Sequence, residues 1–162
     1  MREYDLSREI FPSSPSSHTA MNYFLSLLIL LLVPACDSPT VTVSDELTRQ
    51  FQSSGRTFVN LVEVLPVPWD RVCILGPYSD NPAAKNTLGF PWDVEATSSI
   101  ANDDAIALLL FVKDQTVVEL VQHPRRNGDF ANLSRQCFAR ERATFHHQTN
   151  PKKGWPGLFP KE

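Results

Sequence analysis

The 162-residue chain lacks the short motifs that mark the common types of catalytic site. It contains no G-x-S-x-G, no H-E-x-x-H and no glycine-rich phosphate-binding loop. These motifs carry the nucleophile, the metal ligands and the backbone amides of their enzyme classes. It has no C-x₂-C pair either, so a Cys/His metal site has no support. These absences favour a non-catalytic protein over an enzyme, and we expect neither a cofactor nor a metal.

A surplus of positive charge is also missing. From Cys36 onward the chain has 13 Lys or Arg residues and 15 Asp or Glu residues, a formal charge of −2. Domains that bind nucleic acid are usually strongly basic or carry a basic stripe. The sequence therefore predicts no nucleic-acid partner.

No hydrophobic run is long enough to cross a membrane. The longest extends from Tyr23 to Val33, eleven residues with Ser26 as the one polar member. As a helix it would measure roughly 16 Å, whereas a bilayer core of about 30 Å requires about 20 residues. This length is typical of the hydrophobic part of a signal peptide. A buried core helix or strand is the alternative, but the following cysteine and polar residues favour a leader.

The end of this run, residues 33–36, resembles the lipobox of bacterial lipoproteins. Val33 is the branched aliphatic residue three positions before the cysteine, and Ala35 is the small residue directly before it. Pro34 departs from the usual pattern at the middle position. The resemblance implies cleavage before Cys36, a diacylglyceryl group on its sulfur, and usually a fatty acyl chain such as palmitate on the new amino group.

The same resemblance implies a location. The protein would be anchored in the cell membrane through the lipid on Cys36 and would face the periplasm. Asp37 resembles the signal that retains enteric lipoproteins in the inner membrane, so it favours that membrane over the outer one.

A leader that begins at Met21 fits the usual length of a signal peptide better than one that begins at Met1. We therefore interpret residues 1–20 as a spurious or disordered extension, with a long n-region as the alternative. The predicted organisation is an extension (1–20), a signal peptide (21–35), a tether (36–43), a globular domain (44–145) and a Pro/Gly-rich tail (146–162).

Strand signals dominate the globular domain. The predicted strands cover residues 57–61, 69–75, 105–112, 116–123 and 136–145. A first helix is predicted to be capped by Ser44, and a second to cover about residues 80–88 and to end at Gly89. The sequence therefore predicts an α+β fold: a mainly antiparallel sheet of four to five strands with one or two short helices on one face. Residues 146–162 are either a loose tail or a strap docked by its aromatic residues.

Two cysteines remain if Cys36 is lipidated. A disulfide between Cys73 and Cys137 would close a loop of about 64 residues and stabilise the fold by roughly 4 kcal/mol. Two buried thiols are the alternative, because free cysteine is among the most buried residue types. The sequence leaves both interpretations open.

Residues 69–78, WDRVCILGPY, resemble a motif of small uncharacterised bacterial lipoproteins and secreted proteins. In that family a Trp-Asp-(Lys/Arg) strand runs into a Gly-Pro-Tyr turn and a helix. A Leu-Gly-Phe-x-Trp segment follows, here residues 88–92, and then a hydrophobic hairpin. The resemblance covers roughly residues 57–134. Because the family has no established activity, the resemblance implies only the fold and the location.

Five side chains are candidates for binding a ligand. Asp70 beside a tryptophan is a candidate functional carboxylate, although a structural role at the strand entry is favoured, and Tyr78 is favoured as a packing residue. His123, Arg125 and Arg126 lie at a strand end, where guanidinium groups can bind phosphate or carboxylate. The alternative is that these residues form a solvated loop.

We hypothesise a non-catalytic, membrane-anchored domain that binds an envelope component or a partner protein. The alternative is a small hydrolase or ligand-binding enzyme, whose residues would be Asp70, Tyr78, His123 and Arg125.

Overall fold

The computed structural model describes residues 41–161, so Cys36, the leader and most of the predicted tether lie outside the described residues. Four helices occupy this part of the chain: α1 (Val43–Ser53), α2 (Leu61–Val64), α3 (Asn81–Leu88) and α4 (Val94–Thr97). Seven strands accompany them: β1 (Phe58–Asn60), β2 (Arg71–Leu75), β3 (Ile106–Lys113), β4 (Thr116–Pro124), β5 (Gln136–Ala139), β6 (Thr144–Gln148) and β7 (Gly157–Pro160).

The strands form two antiparallel sheets, which confirms the predicted α+β class. One sheet has four strands in the order β4-β3-β2-β5, and the other has three in the order β1-β6-β7. The predicted hairpin is β3 paired with β4, and the pair Lys113 and Thr116 closes it around a two-residue turn. Asp114 in that turn has a φ of 54°, in the left-handed region that two-residue hairpin turns require.

The strands β2 and β3 divide the interior into two hydrophobic cores. Successive side chains of a strand point to opposite faces of its sheet. Val72 and Ile74 of β2 accordingly enter the first core, and Cys73 and Leu75 enter the second. The same alternation in β3 places Ala107, Leu109 and Phe111 in the first core and Leu108, Leu110 and Val112 in the second.

Helices cover both faces of the four-stranded sheet, where the sequence predicted them on one. The first core includes Leu47 and Phe51 of α1 and Leu61 of α2, together with residues of the three-stranded sheet. The second core includes Leu88 of α3 and Val94 of α4. Because β2 and β3 are apolar on both faces, each face needs its own covering layer.

Helix α1 begins two residues earlier than predicted. The N-cap is Thr42 rather than Ser44, because Thr42 Oγ1 accepts a hydrogen bond from Asp45 N at 3.1 Å. The Asp45 carboxylate in turn accepts a hydrogen bond from Thr42 N at 3.1 Å. This reciprocal arrangement is a capping box, which satisfies two backbone donors that the first helical turn would otherwise leave unpaired. Helix α3 has its N-cap at Asp80 and ends at Gly89, as predicted for its C-terminal end.

The predicted strand over residues 136–145 is wrong as a single element. Strand β5 ends at Ala139 and pairs with β2, whereas β6 begins at Thr144 and pairs with β1 in the other sheet. A 3₁₀ turn, Arg140–Arg142, separates them. Three consecutive charged residues form this turn, and none of them is buried. By leaving the four-stranded sheet here, the chain avoids the cost of burying charge.

The C-terminal segment docks as a strap. Strand β7 pairs antiparallel with β6, and Leu158 is fully buried in the first core. Trp155 is 47% exposed but donates a hydrogen bond from Nε1 to Asp129 Oδ2 at 3.0 Å. Strand pairing and one aliphatic side chain therefore hold the segment, in addition to an aromatic residue.

A disulfide joins Cys73 to Cys137. The two residues are opposite each other in the register of β2 and β5, and their Cα atoms are 4.0 Å apart. Cys73 is fully buried in the second core. The bond therefore ties the edge strand β5 to the centre of the four-stranded sheet.

Replacing both Cys73 and Cys137 with alanine is expected to lower the free energy of unfolding by about 4 kcal/mol. The reason is that the bond closes a long loop and restricts the unfolded chain, with 64 residues of sequence separation. Denaturant titration followed by tryptophan fluorescence measures this difference. Dithiothreitol should shift the wild-type midpoint toward that of the variant and leave the variant unchanged. Equal midpoints for the two proteins under oxidising conditions would contradict the prediction.

Candidate functional site

A cationic cavity of about 300 Å³ lies where the end of α1, the chain after β4 and strand β6 meet. We call it the basic pocket. Its lining residues are Phe51, Arg56, Arg125, Arg126, Gly128, Asp129, His147 and Pro156. Three arginines and a histidine therefore share the cavity with one carboxylate. These residues come from four separate segments of the chain, so only the folded structure brings them together.

The end of α1 positions Arg56. Gly55 has a φ of 68°, and Arg56 N donates a hydrogen bond to Phe51 O at 2.8 Å while Gly55 N donates to Gln52 O at 3.0 Å. These two bonds define a Schellman motif, which folds the chain back over the last turn of a helix. The Arg56 guanidinium lies 5.0 Å from the centre of the Phe51 ring and donates from Nη2 to Arg126 O at 3.2 Å.

Arg125 is neutralised by Asp129. Its Nε and Nη2 atoms donate to the two carboxylate oxygens at 3.0 and 2.9 Å, and its Nη1 donates to Asp104 O at 2.8 Å. Asp129 also accepts hydrogen bonds from Ala131 N and Trp155 Nε1. Burial raises the pKa of Asp129, but these hydrogen bonds outweigh burial and hold the pKa below its ordinary value. The carboxylate is therefore ionised at neutral pH and offsets one guanidinium charge.

Among the described residues, the other two arginines of the basic pocket have no such counter-ion. Within residues 41–161, no carboxylate oxygen lies within 4.0 Å of the guanidinium nitrogens of Arg56 or Arg126. Arg126 is exposed, and Arg56 is exposed apart from its contact with Phe51. His147 is half-buried, with its ring centre 5.9 Å from that of Phe51. The pocket therefore has a surplus of positive charge that its own residues do not cancel.

Gly128 forms part of the wall of the basic pocket. Its φ is 140°, and a Cβ atom there would lie 3.3 Å from Leu158 Cδ1 and 3.5 Å from His123 Nε2. A side chain at this position would be strained in conformation and crowded by the first core. Glycine therefore allows the chain after β4 to pass close to the core and to place Arg125 and Arg126 at the cavity.

A second cavity, of about 400 Å³, adjoins the same ion pair. Its lining residues are Gly76, Pro77, Arg125, Ala131, Ser134 and Trp155. Arg125 thus lines both cavities. Tyr78 is the residue after Pro77 and has a φ of 61°. Its side chain is 64% exposed, so it does not pack across the turn as predicted.

Asp70 lies far from the basic pocket. Asp70 N donates to Val112 O near one end of β3, whereas Arg125 N donates to Ala105 O beyond the other end. Strand residues advance about 3.3 Å each, so the two sites are separated by roughly 23 Å along β3. Asp70 Oδ2 accepts a hydrogen bond from Asp114 N at 2.7 Å and so holds the hairpin turn. The structure therefore does not bring Asp70 together with His123 and Arg125, as the hydrolase alternative requires.

His123 is fully buried and does not face the basic pocket as a free ligand. Its Nδ1 lies 3.0 Å from Ser44 Oγ, and its ring meets Phe130 edge-on with the centres 5.9 Å apart. Burial lowers the pKa of His123 to about 4, against a smaller opposite effect of the Asn127 backbone. The imidazole is therefore neutral at neutral pH and joins α1 to β4.

Sequence reasoning identified Arg125 and Arg126 as candidate ligands of an anion, and both line the basic pocket. It did not identify Arg56 and His147, which lie far from them in the chain. One local signal pointed to Arg56, because a glycine after a helix predicts a Schellman motif that turns the next residue back. No local signal pointed to His147, since its place depends on how β6 pairs.

No protein-family model, curated protein or solved structure matches this chain. Within residues 41–161, no group of three or more His, Cys, Asp or Glu side chains is placed to hold a metal ion. The helices of the same region include none that is both long enough and apolar enough to cross a bilayer.

Acidification from pH 6.5 to pH 4 is expected to destabilise the protein through His123. The unfolded chain takes up a proton at an ordinary pKa near 6.5, but the folded state resists protonation until about pH 4. The stability conferred by the neutral imidazole is therefore complete above pH 6.5 and is lost as the pH falls to about 4, by at most about 3 kcal/mol.

The free energy of unfolding of wild type and of His123→Gln, measured across this pH range, checks the expectation. The glutamine side chain keeps a polar partner for Ser44 but does not titrate. The wild-type curve should fall more steeply than the variant curve, and parallel curves would contradict the assignment.

Proposed function

We propose that this chain is a lipid-anchored, extracytoplasmic domain that binds a component of the cell envelope without catalysing a reaction. The observation that carries the proposal is the disulfide between Cys73 and Cys137. Structural disulfides persist in oxidising compartments outside the cytosol. The chain has three cysteines, so Cys36 is left over, at the end of the leader-like run.

The arrangement of polar side chains supports binding rather than catalysis. Asp70 holds a hairpin turn, and His123 is buried between α1 and β4. Neither can meet a ligand in the basic pocket together with Arg125. Three of the groups that line the pocket are permanently charged guanidinium groups, which bind anions well and exchange protons poorly.

The position of Cys36 limits where the partner can lie. Thr42, the cap of α1, is the sixth residue after it. A fully extended chain spans at most about 3.5 Å per residue, so the cap would lie within roughly 20 Å of the anchored cysteine. The proposed partner is therefore a component of the membrane surface or of the adjacent periplasm, and Asp37 favours the inner membrane.

Mass spectrometry of the mature N-terminus tests the anchor. We expect the wild-type N-terminal peptide to begin at Cys36 and to carry a diacylglyceryl group and an acyl chain, and the protein to sediment with membranes. Cys36→Ala should abolish both the lipid mass and the cleavage.

The matched control is Cys137→Ala, which removes a different cysteine and should keep the lipid on Cys36. An unlipidated wild-type N-terminus, or the same N-terminus in Cys36→Ala, would refute the proposed anchoring.

A further inference from the structure

The charge of the basic pocket indicates what it can bind. The Arg125 guanidinium and the Asp129 carboxylate form a bidentate ion pair and cancel each other. Arg56 and Arg126 remain, and arginine side chains stay protonated at any pH that the protein tolerates. The pocket therefore carries a charge close to +2 before His147 is counted.

Most of the donors of the pocket are still available to a ligand. A guanidinium group has five N–H donors. Among the described residues, Arg56 uses one of them on the Arg126 carbonyl, and its plane is supported by the Phe51 ring. The Arg126 side chain donates to no described residue, and His147 adds a ring nitrogen at the cavity wall. An anion in the pocket would thus meet one arginine that is fixed, Arg56, and one that can adjust, Arg126.

We propose that the basic pocket binds a phosphate group, held between Arg56 and Arg126 with His147 as a further donor. This inference rests on the proposed function and deepens it, because it names the chemical class of the envelope component. A phosphate monoester carries a charge of about −1.5 to −2 at pH 7, which matches the two uncancelled guanidinium groups. A single carboxylate would leave one guanidinium without a counter-ion.

The size of the cavity favours a phosphate group that belongs to a larger molecule. Its volume of about 300 Å³ is at the lower end of the range for ligand sites, which is about 300–1,000 Å³. Each water molecule takes about 30 Å³ in the liquid, so the cavity has room for more than one small ion. Pro156, which is exposed, supplies apolar surface for the rest of such a molecule.

Isothermal titration calorimetry on the full chain, purified in non-ionic detergent at low ionic strength, tests the proposal. The probes are glycerol 3-phosphate, inorganic phosphate and acetate. We expect both phosphates to bind at least tenfold more tightly than acetate, and binding to weaken as salt is added. Arg126→Gln and Arg56→Gln should each raise the dissociation constant for glycerol 3-phosphate about tenfold or more.

The matched control is Arg142→Gln, which changes an exposed arginine that lines neither cavity. It should leave the dissociation constant unchanged. Arg126→Gln protects the test against a folding artefact, because its exposed side chain makes no contact on which the fold depends. Thermal unfolding of each variant verifies that the fold is retained.

A vesicle assay distinguishes a lipid headgroup from a soluble phosphate. Co-sedimentation compares phosphatidylcholine vesicles with vesicles that also contain phosphatidic acid, using the Cys36→Ala protein, which carries no lipid. Its uncleaved leader is present in both series, so only the difference in binding between the two kinds of vesicle counts. Arg126-dependent binding to the acidic vesicles, with weak binding of glycerol 3-phosphate, identifies a lipid headgroup. Binding of glycerol 3-phosphate with no vesicle preference identifies a soluble source. Either result supports the phosphate site.

Two results would overturn the inference. One is the absence of measurable binding of any phosphate probe, and the other is an equal loss of binding in Arg126→Gln, Arg56→Gln and Arg142→Gln. A lipidated protein that fails these titrations would refute the phosphate site and leave the proposed anchoring intact. An unlipidated protein that binds phosphate would do the reverse.

Discussion

The pairing of β2 with β3 at the centre of the four-stranded sheet is the constraint on which the other elements depend. Both strands are apolar on both faces, so neither face can be exposed to water. Helices α1 and α2 and the three-stranded sheet cover one face, and helices α3 and α4 cover the other. A slip of one residue in the register would exchange the side chains of the two cores. The disulfide between Cys73 and Cys137 fixes the register of β5 against β2 covalently.

The basic pocket is a by-product of how the first core is closed. Strand β4 returns along β3 and delivers Arg125 and Arg126 beside the end of α1, where the Schellman motif has placed Arg56. Gly128 lets that segment pass close to the core, and the strap that ends in β7 completes the wall with Pro156. The backbone segments that carry the cations therefore follow directly on packed elements, α1 and β4.

The parts of the fold that sequence alone could predict are those with local signals. Each of these signals determines a short stretch of backbone: the hydrophobic run at β3, the alternation of apolar and polar residues at β4, the glycine after α3, and the glycine and prolines after β2. The break at Arg140–Arg142 was missed because the residues before and after it keep the same alternation, which only Glu141 interrupts. The choice of partner sheet shows that the chain has crossed over. Whether Cys73 and Cys137 form a disulfide was undecided for the same reason, because the local sequence does not show which residues of two strands lie opposite each other. Arg125 and Arg126 could be predicted as a candidate site, but Arg56 and His147 could not, because pairing of distant segments brings them there.

Helix α1 has a mechanical consequence. Its first residue, Val43, follows the chain that leads from Cys36, and its last turn supports Arg56 and Phe51 at the basic pocket. If the protein is anchored at Cys36 and occupied at the pocket, the part of the tension that Arg56 bears passes along one helix of roughly 16 Å. Neither sheet nor the disulfide lies on that path. The capping box at Thr42 and the contact of Ser44 with His123 would then be the first bonds to bear the load.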